Sequence, residues 1–286
     1  MKVGQPLGEY VERKFFRGVT TGLNEAFVID GKTRKALIAK DKKSTQIIKS
    51  LVSGEDIRRW TLRRRETWLI FTRRGIDIDS YPAIREHLSK WKAKLTPKKS
   101  PSDTIGRKPG KYKWYEIQDD VAYYPAFESP KIIFPDIAKG PRFCLDTKGS
   151  YIANTAYCLG TDDRYLLGIL NSRLFWFAIS NISIPFGIRA GSYRYRLIYQ
   201  YMEKIPIHVI NFSDSSDKAD HDRLVTLVGR TLQMTSVKNS GKLAPSELQR
   251  LEREIAAIDG DINDLVFKLY SITHEERKII EGATHE

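Results

Sequence analysis

Between Leu248 and Leu269 the chain places Leu248, Leu251, Ile255, Ile258, Ile262, Leu265 and Leu269 at alternating separations of three and four residues. On an α-helix this spacing puts all of them on one stripe, and an apolar stripe of that length has to be covered. It predicts a helix over 245–270. A second apolar-periodic run over 221–237, joined to it by Lys238-Asn239-Ser240-Gly241, supplies an antiparallel mate. The region 221–283 therefore reads as a helical hairpin, a coiled-coil spacer or partner-binding region whose seam is closed by the same chain or by self-association with another.

Ahead of the hairpin, residues 209–220 are rich in serine and aspartate and read as a linker. Residues 1–208 alternate short apolar runs with helical patterns, which predicts an α/β domain with a mixed α+β sheet. Strands are expected over 26–29, 68–72, 131–134, 143–145 and 151–159. Helices are expected over 33–51, with Ile47, Ile48 and Leu51 on one side and a stop at Gly54, over 82–95 and over 163–179. The stretch 96–113 has no hydrophobic period and many Pro, Gly, Ser and Lys residues, so it reads as a long mobile loop that orders on a ligand.

Charge narrows the function. The net charge is +13, from 48 Lys and Arg against 35 Asp and Glu. Residues 1–146 hold 31 basic and 18 acidic residues, whereas 147–286 hold 17 of each, so the whole surplus sits in the first half. Such an uneven distribution is the electrostatic footprint of a polyanion binder. The densest segment is Ile57-Arg58-Arg59-Trp60-Thr61-Leu62-Arg63-Arg64-Arg65, five arginines flanking a tryptophan just before a strand. A purely solvating basic face is the competing reading.

Two loops have the composition of contact loops. Arg17-Gly18-Val19-Thr20-Thr21-Gly22-Leu23-Asn24 is a glycine-bracketed polar turn running into the apolar segment 26–29. Short hydroxyl and amide side chains there can bond a phosphate, a base edge or their own backbone. Gly187-Ile188-Arg189-Ala190-Gly191-Ser192-Tyr193-Arg194-Tyr195-Arg196 alternates arginine and tyrosine. Arginine is the usual reader of guanine and asparagine of adenine. The candidate polyanion contacts are accordingly Arg17, Thr20, Thr21, Asn24, Arg58, Arg59, Arg63, Arg73, Arg74, Arg107, Lys108, Lys111, Lys113, Arg189, Tyr193, Arg194 and Arg196.

Several chemistries find no support. The two cysteines, Cys144 and Cys158, and the five histidines match no metal-ligand spacing. There is no Gly-x-Gly loop, no GxxxxGK phosphate loop and no Pro-Pro dipeptide of the kind found in amino-methyltransferase motifs. No catalytic residue and no metal or cofactor site is assigned, and no run of about 18 apolar residues suggests a membrane span. A reducing, cytoplasmic location is expected. One catalytic pattern remains as an alternative: Pro135-Asp136 followed by Asp146-Thr147-Lys148 mimics a magnesium-dependent PD…DxK nuclease site. The other alternative is a non-catalytic protein-interaction subunit.

The ordered set of motifs resembles one family. It comprises Pro6-Leu7-Gly8-Glu9-Tyr10, Arg17-Gly18-x-x-Thr21-Gly22-Leu23-Asn24-Glu25-Ala26-Phe27, Ile57-Arg58-Arg59-Trp60, Gly106-Arg107-Lys108-Pro109-Gly110-x-Tyr112-x-Trp114-Tyr115-Glu116-Ile117, Leu166-Leu167-Gly168-Ile169-Leu170-Asn171-Ser172 with Phe175-Trp176-Phe177, and Lys204-Ile205-Pro206-Ile207. Together they are similar to the TaqI-like C-terminal specificity domain, or target recognition domain, of type IIG restriction–modification enzymes and adenine-N6 DNA methyltransferases. The resemblance implies sequence-specific binding of double-stranded DNA, without catalysis by this chain alone. It also implies a methyltransferase or nuclease module as partner, with S-adenosylmethionine and magnesium belonging only to that module. The chain begins where such a catalytic module would end.

Overall fold

The computed structural model describes residues 4–63 and 65–284; Arg64 of the arginine run and His285 lie outside the described residues. At the centre is an antiparallel sheet in the order Cys144–Asp146, Lys131–Pro135, Ala156–Leu159, Phe15–Arg17. Every residue of Lys131–Pro135 is buried. Because side chains alternate across a strand, Ile132 and Phe134 point into one core and Ile133 into another. Leu159 and Cys158 divide in the same way. One sheet thus serves as the wall between two hydrophobic cores.

The first core lies toward the N-terminal half. A second sheet, in the order Tyr151–Ile152, Ile48–Val52, Thr67–Ile70, Val28–Asp30, carries Ile29, Leu51, Val52, Leu69 and Ile70. Its first pair is parallel and the others antiparallel. Helices Gly31–Lys40 and Pro82–Ser89 cover it, and a further turn, Lys92–Leu95, buries Leu95.

The helix expected over 33–51 ends early. Asp30 starts it by accepting from the Thr33 amide at 2.7 Å, and it stops at Lys40. Asp41 then accepts from the Lys43 amide and opens a 3-10 turn, Lys42–Gln46. Ile48–Val52 is a strand, because pairing with Thr67–Ile70 buries its β-branched residues better than a helix would.

The second core is built by the helices. The apolar stretch read as one helix is two, Arg164–Leu170 and Arg173–Ile182. Between them Asn171 turns inward, and its side chain bonds both the amide and the carbonyl of Phe143, at 3.1 and 3.0 Å. Ser172 then caps the second helix through the Phe175 amide.

The helical hairpin is Ser215–Lys238 and Pro245–Leu269, followed by His274–Thr284. The C-terminal part of its seam is closed within the chain, where Ile258, Ile262, Leu265 and Leu269 share a core with Leu224, Leu227 and Val228 and with Ile132 and Phe134, while Leu248, Leu251 and Ile255 are half-buried. Leu224 and Val228 approach Gly168 so closely that a Cβ there would sit 2.9 and 3.0 Å from their side chains. The segment read as a linker already contains the start of the first hairpin helix, where Asp214 accepts from the amides of Ser216 and Asp217. No helix among the described residues is long and apolar enough to cross a membrane.

Candidate nucleic-acid interface

The turn 17–24 is held from behind on every side. The Gly18 amide donates to Ala156 O and the Val19 amide to Ile152 O, at 2.9 and 2.8 Å. A Cβ on Gly18 would lie 2.0 Å from Ala153 O, so this glycine is required by close approach. Gly22 is the one that uses its backbone freedom, with φ +81°. The Thr20 amide donates to Asp119 Oδ2 at 3.0 Å, and the Gln118 amide donates to Thr21 O at 3.1 Å. Asn24 begins a single helical turn, Asn24–Phe27, where a strand was expected; the strand starts only at Val28. Ala26 and Phe27 are buried all the same.

Arg107 is the main fastener of the turn. It is 4% exposed. Its Nε donates to Leu95 O at 2.7 Å, Nη1 to Thr21 O at 2.9 Å, and Nη2 to the carbonyls of Lys113 and Trp114 at 3.3 and 3.1 Å. Burial pulls its pKa down to about 10, which leaves it a cation at neutral pH. Arg74 lies alongside and donates to the carbonyls of Ile117 and Gln118. The two guanidinium groups sit 4.9 Å (Arg74) and 4.6 Å (Arg107) from the Tyr112 ring. Arg107 and Arg74 were expected at DNA; in the structure both are engaged by backbone carbonyl oxygens, which satisfy guanidinium groups withdrawn from water. The stretch 96–113 is likewise tied down. It is anchored by Arg107, and within it Asp103 closes a local turn by accepting from the amides of Lys99 and Ser100.

Thr21, another expected contact, is 3% exposed. Its hydroxyl donates to Asn24 Oδ1 at 2.7 Å and accepts from the Leu23 amide. Asn24 itself is exposed, as is Arg17, while Thr20 is half-buried. Lys108, Lys111, Lys113 and Arg73 are also exposed, and Arg73 lies 5.6 Å from the Tyr124 ring.

The segment 187–196 is a ribbon rather than a loop. Pro185–Arg189 pairs antiparallel with Ser192–Arg196, and the latter pairs with Ile137–Ala138. Register places Ile188 opposite Tyr193 and Arg189 opposite Ser192. Side-chain alternation therefore sorts the ribbon into an apolar face of Ile188, Tyr193 and Tyr195 and a cationic face of Arg189, Arg194 and Arg196. Arg194 and Arg196 sit 5.4 and 4.9 Å from the ring of Phe186. Burial raises the carboxyl pKa of Asp136, and the charges of Arg196 and Arg17 pull it back down.

The arginine-rich segment forms a two-stranded hairpin, Ile57–Arg58 and Thr61–Leu62. Arg59 faces the helices, with Nη1 and Nη2 on the Asp259 carboxylate at 2.8 and 2.6 Å and Nη2 on Asn171 O. It latches the helical hairpin and is not a free contact. Arg58 Nη1 donates to the carbonyls of Glu55 and Ile57, and Arg63 is exposed. Arg17, Arg63, Arg73, Lys108, Lys111, Lys113, Arg189 and Arg196 make no ion pair among the described residues.

The nuclease-like carboxylates are not assembled as a site. Lys131 Nζ lies 2.7 Å from Asp146 Oδ2 with both side chains fully buried, and Asp146 also accepts from Ser150 and from the Lys148 amide. Asp136 is half-buried, and the charges acting on it are those of Arg196 and Arg17. No group of three or more His, Cys, Asp or Glu able to hold a metal occurs among the described residues. Sequence reasoning missed Asp119 as a holder of the turn, because its partner Thr20 lies 99 residues away and leaves no local pattern.

Residues 49–207 match the TaqI-like C-terminal specificity domain. The type II methyltransferase M.PaeR7I of Pseudomonas aeruginosa is 25% identical over 292 residues, covering 97% of this chain. The chain spans 41% of that relative's length. The type IIL restriction–modification enzyme MmeI, solved in complex with DNA, superposes with a TM-score of 0.64 at 15% identity, covering 98% of this chain and 36% of that one. The type IIG restriction endonuclease BpuSI gives a TM-score of 0.40 at 12% identity, over 92% of this chain and 32% of its own.

Proposed function

Because the chain belongs to the TaqI-like C-terminal specificity domains of type II restriction–modification enzymes, we propose that it binds double-stranded DNA and reads a target sequence for a methyltransferase or nuclease portion that it does not itself contain. One observation carries this reading. The turn 17–24, the 96–113 stretch and the 185–196 ribbon present cations with no ion pair while their backbones are fixed from behind. Rigidly mounted and uncompensated cations suit phosphate oxygens, which position a protein on a duplex, while arginine and asparagine can read base edges.

In this reading Arg17, Thr20, Arg63, Arg73, Lys108, Lys111, Lys113 and Arg196 meet backbone, and Asn24, Arg189, Tyr193 and Arg194 reach into a groove. Thr21, Arg74 and Arg107 act behind them as positioning residues. Chemistry falls to the catalytic portion, which would bring its own S-adenosylmethionine and any magnesium. The test is selection: random-sequence duplexes are captured on the chain at moderate salt and sequenced. A recurring motif supports the reading, and recovery of unenriched sequence contradicts it.

A further inference from the structure

A second basic surface stands where the 57–62 hairpin meets the loop end of the helical hairpin. Two adjoining clefts there share Arg58, Trp60, Thr61 and Asn239 and form one trough, the larger part enclosing about 810 Å³. Its rim carries Arg58, Arg63, Lys139, Arg142, Lys148 and Lys238, and no Asp or Glu lines it among the described residues. Lys238 is compensated by Glu252 at 2.7 Å. Arg63, Lys139, Arg142 and Lys148 have no ion pair among the described residues. Burial lowers the Arg142 pKa and Arg58 lowers it further, so the two cations press on each other. Gathering like charge without a counter-charge is unfavourable until an anion arrives.

A second observation points the same way. Thr235 lines this trough and is 7% exposed, yet its hydroxyl has no hydrogen-bond partner among the described residues. One turn earlier Thr231 uses its hydroxyl in the ordinary helical manner, donating to Leu227 O at 3.0 Å. A buried hydroxyl left unbonded is a group that a ligand oxygen can complete. The two walls of the trough are also fastened to each other: Asn239 Nδ2 donates to Thr61 Oγ1 at 2.9 Å, and Arg59 bridges to Asp259.

We infer that this trough binds phosphate groups of the DNA sugar–phosphate backbone, outside the bases being read, and that the helical hairpin is thereby a working wall of the DNA site. The inference rests on the duplex reading above. A trough open across two clefts with unpaired cations along its rim suits a polymer of phosphates, and lysine and arginine contacts to phosphate position DNA without reading it.

The experiment is a salt titration of duplex binding with the wild-type chain and with the Arg142→Gln/Lys148→Gln double variant, using the duplex pool and one enriched sequence. Each lost phosphate contact should flatten the plot of log affinity against log salt by about one unit, so the double variant should lose about two. The ranking of sequences should stay as in the wild type. An unchanged slope with an enriched motif would overturn the trough and leave the recognition reading standing. A reduced slope without any motif would do the reverse. Tripolyphosphate that binds the wild type but not the double variant, with an unchanged duplex slope, would assign the trough to a free polyphosphate and overturn the backbone assignment.

Discussion

Arg107 Nη1 donates to the carbonyl oxygen of Thr21 at 2.9 Å, across 86 residues of sequence. This bond ties the basic stretch to the glycine-bracketed turn, so two segments that look independent in the sequence are one rigid unit.

Replacing Arg107 should therefore act through stability first. Arg107→Ala removes a buried cation and its hydrogen bonds to four carbonyls, of which Thr21 O and Lys113 O keep the amides of Gln118 and Glu116. A loss of about 3 kcal/mol or more is expected in urea unfolding. Arg107→Lys should recover only part of it, because an ammonium cannot reproduce the planar fork. An unaltered unfolding midpoint with lost DNA affinity would mean that Arg107 meets the DNA directly.

The pair Thr21 and Asn24 should separate by role. Asn24→Ala is expected to relax discrimination at one base pair, by roughly 1–3 kcal/mol. Thr21→Val should weaken the same position, since it frees the Asn24 amide, and Thr21→Ser should restore it. Competition with single-substitution duplexes measures both; if neither variant changes any position, the turn is purely structural.

Asp146 should behave as half of a core ion pair. Asp146→Asn leaves Lys131 uncompensated inside the protein and should cost roughly 3–5 kcal/mol. Replacing both by Met and Leu should restore most of that stability. Calorimetry of the single and double variants gives the comparison. Stability unchanged in Asp146→Asn, with a lost magnesium-dependent cleavage, would instead revive the nuclease pattern.

His87 supplies a pH test. Burial is the main cause of its lowered pKa, and its Nε2 bonds Ala26 O at 3.1 Å just behind the turn. The folded value lies below the unfolded one of about 6.5. Its contribution is therefore intact above pH 6.5 and falls away as pH drops from there toward the folded value. Wild type should lose more stability between pH 7 and pH 5 than His87→Gln does; parallel loss in both would remove this role.

The legible parts of the fold were those set by periodicity. The seam 248–269 announces its helix, the apolar run at 131–134 announces a strand buried on both faces, and the strand expected over 151–159 is divided into Tyr151–Ile152 and Ala156–Leu159. What the sequence hides is set by distant partners. Ile48–Val52 shows helical spacing until pairing with Thr67–Ile70 makes it a strand. Asn171 splits an apolar helix only because Phe143 offers both backbone groups. The same limit applies at the site. Composition marks arginines as candidates, but only the carbonyls around Arg74 and Arg107 and the carboxylate beside Arg59 distinguish fasteners from the exposed Arg17, Arg189 and Arg196.

The central claim is that this chain discriminates between duplex sequences. Fluorescence anisotropy of a labelled duplex carrying the enriched motif, set beside the same duplex with the motif scrambled and measured at fixed near-physiological salt, tests it most directly. The account predicts that the motif binds at least about a thousandfold more tightly, within the span of specific DNA readers. Equal affinity for the two duplexes would contradict it.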